Sequence, residues 1–272
     1  MKYTMMFIIL LLSIYGCGTE TTNNSSQDNN ESSIFTIDQQ KTADQIISIF
    51  ENNTPIIQYD YAENLSDGRG ITAGRAGFTS ATADMLEVIK RYTEIVPNNS
   101  LSTYLSRLEE LATHEDDSVV GLEGLEESWK ESANDAIFRN VQDEILNEWY
   151  FDPAVIQAQL LGVKLPLTLL NLYDAIIQHG EGDDMDGLPE MIKQTTLNVG
   201  GTIKDGIDEK VWLNEFMTIR HAILENPNNQ ETQEEWSESV NRVDTLRELY
   251  NNGKFYLELP MVIDTWDTVY TL

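Results

Sequence analysis

From Met85 almost to the C-terminus, apolar residues recur at helical spacing, and only one segment of the 272-residue chain alternates as strands do. Met85, Ile89, Tyr92 and Val96 share one face, as do Tyr104, Leu105, Leu108 and Leu111, and then Ala133, Ile137, Val141 and Ile145. The alternating segment runs Gln58-Tyr59-Asp60-Tyr61-Ala62-Glu63, then Ser66-Asp67-Gly68-Arg69-Gly70, then Ile71-Thr72-Ala73. It reads as a β-hairpin or small sheet turning at Asp-Gly. The pattern predicts a mainly α (α+β) architecture with one small sheet near the N-terminus.

Individual helices can be bounded from their ends. Thr42 is a candidate N-cap with Asp44 in the first turn, Ile46, Ile47, Ile49 and Phe50 form the apolar face, and Asn52-Asn53-Thr54-Pro55 stops the helix. Pro153 and Pro166 are expected to break the later helical run. A helix from Leu167 to Gln178 ends at His179-Gly180, glycine tolerating left-handed geometry there. Amphipathic helices are expected around 208–224 and 232–250. No repeat of solenoid period is present.

The N-terminus has a different character. Lys2 precedes an apolar run from Met5 to Leu12, and Cys17, the only cysteine, closes the segment. The run is too short to span a membrane comfortably and reads as an export signal over 1–17, with lipidation of Cys17 or plain cleavage as its outcomes. Residues 18–33 hold no large apolar side chain and read as a flexible polar tether. The folded region is then 34–272, acting outside the cytoplasm, on the cell surface or free, as a monomer without disulfides.

Charge narrows the partner. Asp and Glu number 46 against 17 Lys and Arg, a formal net charge of -29 with a pI of about 4.2. Such a field repels nucleic acid and attracts polycations, although solubility alone also explains it. Hydrophobic residues at 41 % and aromatics at 9 % suffice for a packed core.

Two carboxyl groups stand in surroundings that would suit them to opposite roles in proton transfer. Glu51 lies where a helix ends, and the negative end of the helix dipole disfavours its ionised form, as suits a proton donor. Asp67 lies in a tight turn beside Arg69, which favours ionisation, as suits a base. Each feature alone is also what an ordinary surface glutamate or an ordinary turn would show.

Other chemistries fit poorly. Glu181-Gly182-Asp183-Asp184-Met185-Asp186-Gly187 is acidic, but aligned as a calcium loop it puts Gly182 first and Lys193 last, where ligands are needed. His114, His179 and His221 are scattered without an HExxH pattern or thiolate, and neither a phosphate-binding glycine loop nor a GxSxG elbow is present. No metal and no cofactor is expected.

Longer blocks carry a resemblance. They are Phe50-Glu51-Asn52-Asn53, Tyr61-Ala62-Glu63-Asn64-Leu65-Ser66-Asp67-Gly68-Arg69-Gly70-Ile71-Thr72-Ala73-Gly74 and Gly77-Phe78-Thr79-Ser80-Ala81-Thr82-Ala83-Asp84-Met85-Leu86, followed by Tyr150-Phe151-Asp152-Pro153-Ala154, Tyr173-Asp174-Ala175-Ile176 and Asn241-Arg242-Val243-Asp244-Thr245. In this order they resemble the bacterial chitosanases of glycoside hydrolase family 46. The resemblance implies a lysozyme-like fold of two helical lobes with a small sheet and a substrate cleft between them. It implies inverting endo-hydrolysis of β-1,4 links in chitosan, with Glu51 as general acid, Asp67 as general base and Thr72 positioning water. Arg69 and Asp84 would contact sugars, Asp84 through a glucosamine ammonium, and Tyr61, Glu63, Thr82 and His179 would line the cleft. Asp174, Arg220 and Arg242 would form a supporting ion network. A non-catalytic acidic surface lipoprotein, or a hydrolase of acetylated cell-wall sugars, is the alternative.

Overall fold

The computed structural model describes residues 34–229 and 233–272. Cys17, the export segment, the tether and Thr232 lie outside them. The chain divides into two compact units, one of residues 44–154 and one of residues 34–43 with 155–272. The divisions fall inside helices α1 (Ile37–Asn52) and α6 (Asp152–Leu161).

In the first unit, α1 is followed by strands β1 (Ala62–Asn64), β2 (Ile71–Ala73) and β3 (Phe78–Thr79), an antiparallel sheet with β2 in the middle. Then come α2 (Ala83–Ile95), α3 (Leu105–His114), α4 (Leu125–Ser132) and α5 (Ala136–Leu146). Their apolar faces meet in one core, where Phe138 packs 4.8 Å from Tyr92 and 4.9 Å from Trp129, ring centre to ring centre. Side chains of this size each contribute about 1.5–3 kcal/mol when fully buried.

The second unit is built on α7 (Pro166–His179), which is buried on nearly every face, as its run of leucines dictates. Around it lie α8 (Leu188–Val199), α9 (Glu209–Glu225), α10 (Gln233–Glu238) and α11 (Asn241–Asn251). Trp212 and Phe216 stack 5.3 Å apart on α9. Strands β4 (Val262–Asp264) and β5 (Val269–Thr271) close the chain as a hairpin.

Four expectations need correction. α1 begins at Ile37, and Thr42 lies inside it, its hydroxyl donating to the Asp38 carbonyl. The start is instead set by a capping box: Gln39 N donates to Thr36 Oγ1 and Thr36 N to Gln39 Oε1. Pro153 does not break the run. The bonding widens to a π-turn over Asn147–Phe151 and continues into α6, with Asp152 N donating to the Asn147 carbonyl. The expected helix over 232–250 is two, because Ser239 turns its hydroxyl onto the Trp236 carbonyl and the chain restarts at Asn241. The β4–β5 hairpin is an additional sheet, whose short strands meet at Trp-Asp without a glycine signal.

Candidate active site

Glu51 is the penultimate residue of α1 and half-buried. The helix stops because Asn53 adopts a left-handed φ of 52° while its N–H still reaches the Ile49 carbonyl at 2.9 Å. Ser48 Oγ then donates to the Ile56 carbonyl at 3.2 Å, folding the chain back beside the last turn.

Asp67 occupies the connection between β1 and β2, where Ser66, Gly68 and Gly70 all have positive φ. Gly70 is required twice over: its φ is 73°, and a Cβ there would collide with Ser80 Oγ, which accepts from Ile71 N. The carboxylate is gripped by Arg69, with Nε and Nη2 on Oδ2 at 3.0 and 2.5 Å and Arg69 N on Oδ1 at 3.2 Å. That guanidinium holds the Asp67 pKa below the usual carboxylate range.

Strand register assembles the rest of this wall. Glu63 pairs with Thr72 and Thr72 with Thr79, so the three share one row across the sheet. Thr79 Oγ1 lies 2.6 Å from Thr82 Oγ1, which in turn donates to Asp84 Oδ1. Asp84 also accepts from Thr79 N and Met85 N, and burial raises its pKa despite these donors. Tyr61 donates to Glu63 Oε2 at 3.2 Å, its own pKa pushed up to about 12 by burial and then by the Glu63 charge. Thr72 is fully buried, and its hydroxyl has no hydrogen-bond partner. A buried hydroxyl without a partner is an exception among folded proteins.

Two parts of this unit were not assigned from the sequence. Tyr150 lies on the π-turn, and its pKa is pushed up to about 12, first by burial and then by the charges of Asp84 and Glu51. It therefore sits in the field of both carboxylates. Arg75 ties α1 to α5, pairing with Asp44 at 3.3 Å and with Asp143, while its guanidinium lies 5.7 Å from the centre of the Tyr59 ring. Tyr59 donates to Asp143 at 2.8 Å, and Trp129 Nε1 donates to the Tyr59 carbonyl at 3.0 Å. The π-turn was the signal for Tyr150, visible as a proline inside a helical period; Arg75 had none.

The remaining expected residues lie in the second unit. Asp174 is fully buried and pairs with Arg220 at 2.6 Å and Arg242 at 2.5 Å. Burial pushes its pKa up, but the two guanidiniums outweigh it and hold the carboxyl below its ordinary range. His179, expected on the cleft wall, is 1 % exposed and belongs to this network. Arg220 Nε donates to its Nε2 at 3.2 Å, Nδ1 faces the Asp186 carbonyl at 3.1 Å, and Trp236 packs edge-on at 4.7 Å. Burial first, then the two arginines, keep its pKa well below 6.5, so the ring is neutral, with Nδ1 the protonated nitrogen. The acidic 181–187 loop uses Asp186 structurally, accepting from Asn228 N, Asn228 Nδ2 and Asn229 N. Among the described residues no group of three His, Cys, Asp or Glu could hold a metal.

The chain is similar to known proteins over most of its length. Residues 45–261 match the family described as Glycosyl hydrolase family 46. A chitosanase of Bacillus subtilis (strain 168) is 48 % identical over 224 residues, covering 82 % of this chain and 81 % of the relative. The solved structure of a Gynuella sunshinyii chitosanase with chitotetraose is 55 % identical with a TM-score of 0.75, covering 88 % of this chain and 98 % of that one. A native Bacillus subtilis chitosanase structure is 45 % identical with the same TM-score, covering 88 % and 99 %. By sequence along most of its length and by fold, the chain belongs to glycosyl hydrolase family 46.

Proposed function

We propose that this chitosan-hydrolysing enzyme works by a single displacement with inversion. Glu51 protonates the glycosidic oxygen as the bond breaks. Asp67 takes the proton from a water held at Thr72 Oγ1, and that water attacks the anomeric carbon from the opposite face. The observation that carries this division is the grip of Arg69 on Asp67, which keeps one carboxyl ionised and ready to accept a proton.

Asp84, Glu63, Tyr61, Thr82 and Arg69 bind the sugars. Asp84 takes a glucosamine ammonium, whose positive charge favours the ionised form that burial alone disfavours. His179 acts indirectly, with Asp174, Arg220 and Arg242, by fixing the interior of the second unit. Binding of a polycation by a chain of charge -29 weakens as salt screens it, whereas turnover of acetylated sugars would not. Residues 1–17 direct export, and Cys17 carries a lipid that holds the monomeric enzyme at the cell surface; Cys17→Ser would release it into the soluble fraction.

Reducing-end release from soluble chitosan tests the pair. Glu51→Gln and Asp67→Asn should each lose about 10²–10⁴ in kcat. An unchanged rate in either removes that residue from the mechanism. The first-formed anomer, read by NMR, should be inverted; retention would refute the single displacement.

A further inference from the structure

We infer that the C-terminal hairpin is a second binding surface for polyglucosamine, carried by Trp266 and separate from the residues of the acid–base pair. The inference rests on the chitosan-hydrolase reading. It starts from an awkward backbone. Trp266 has a φ of 68°, and Asp267 N donates across it to the Thr265 carbonyl at 2.8 Å, the rare γ-turn of positive φ. For a bulky residue that conformation is strained, and the indole gains no burial in return, being 63 % exposed.

The surroundings hold this turn in place. Trp266 N donates to Asp264 Oδ1 at 3.0 Å, and Thr265 N and Oγ1 both donate to the Thr268 carbonyl at 3.1 Å. From α11, Thr245 Oγ1 donates to the Asp264 carbonyl at 2.5 Å and Asn241 Nδ2 to the Thr265 carbonyl at 3.2 Å. An aromatic residue carried on a backbone held in this way has less freedom to lose when a partner docks.

The neighbouring surface specifies the partner. Register pairs Val262 with Thr271 and Asp264 with Val269, so these four share one face, and Val262 and Val269 are 60 % and 62 % exposed. Asp264 and Asp267 stand two residues before and one after Trp266 in the chain, and the Lys254 ammonium is occupied by the carbonyls of Glu258 and Pro260. An aromatic face beside apolar and carboxylate groups matches a sugar ring with an apolar side and an ammonium substituent. The same carboxylates would be repelled by an anionic lipid surface. The family match ends at residue 261, just before this strip.

The test uses the full chain with Glu51→Gln, so that the polymer is not consumed, and measures retention on insoluble chitosan. Trp266→Gly relieves the positive φ and so spares the fold, while Trp266→Phe keeps an aromatic face. Retention should fall about three- to fivefold in Trp266→Gly and less in Trp266→Phe. In chains with Glu51 intact, turnover of chitohexaose should be the same with and without Trp266→Gly. Unchanged retention overturns the proposal, as does a parallel fall in chitohexaose turnover. Binding to phosphatidylcholine or phosphatidylglycerol vesicles that depends on Trp266, with chitosan retention unaffected, overturns it in favour of a lipid surface. Failure of the unsubstituted chain to cleave chitohexaose would instead refute the hydrolase reading.

Discussion

The molecule uses the same pairing, carboxylate with guanidinium, in two opposite surroundings. Asp67 and Arg69 keep 31 % and 27 % of their side chains exposed, whereas Asp174 and Arg220 keep none and Arg242 7 %. Both aspartates have lowered pKa values, but the consequences differ. Near water, an ion pair is worth at most about 1 kcal/mol and leaves the carboxylate accessible to a proton. In the interior, each charge depends on the other, and removing one strands the rest. The exposed pair is thus available for chemistry, and the buried cluster for holding α7, α9 and α11 together.

The largest effect expected from this contrast is in Asp174→Ala. Two guanidiniums lose their counter-charge in the interior, and the chain should be destabilised by about 3–5 kcal/mol, measured by urea unfolding. A loss below about 1 kcal/mol would erase the distinction. A smaller effect concerns pH. His179 has a folded pKa well below 6.5, so the unfolded chain binds a proton first as pH falls. Its contribution to stability is complete above about pH 6.5 and declines below that, by up to about 1.4 kcal/mol per pH unit. His179→Gln should remove this slope, and an unchanged slope would assign it to other groups. The lowered pKa of Asp174 adds a further loss below about pH 4. The smallest stability change is expected in Asp67→Asn, within about 1 kcal/mol of the parent although turnover collapses. A large destabilisation there would mean that the turn, not the proton transfer, needs the charge.

What could be read from the sequence was local. Glu51 at a helix end and Asp67 in a glycine turn are set by neighbours in the chain, and both were placed correctly on their elements. Thr72 and Glu63 were recognised by family resemblance, but their alignment in one row with Thr79 depends on a third strand of two residues that no alternation announces. His179 shows the other limit. At the end of α7 it has the position of a solvent-facing residue, and its burial comes from Trp236 and Arg220, which reach it from distant segments. Arg75, Asp44 and Asp143 likewise look like ordinary surface charges until the fold brings them together.

The π-turn at Asn147–Phe151 can also be regarded as a matter of phase. One surplus residue is stored in an otherwise regular helix, and each residue of an α-helix advances the azimuth by about 100°. Deleting Glu148 would let the ladder close into an unbroken α-helix, leaving helix content almost untouched. The residues beyond the turn would keep nearly the azimuth they have now, because the wider turn already absorbs the surplus step. In this segment the widened turn, more than the identity of any one residue, keeps α5 and α6 in phase.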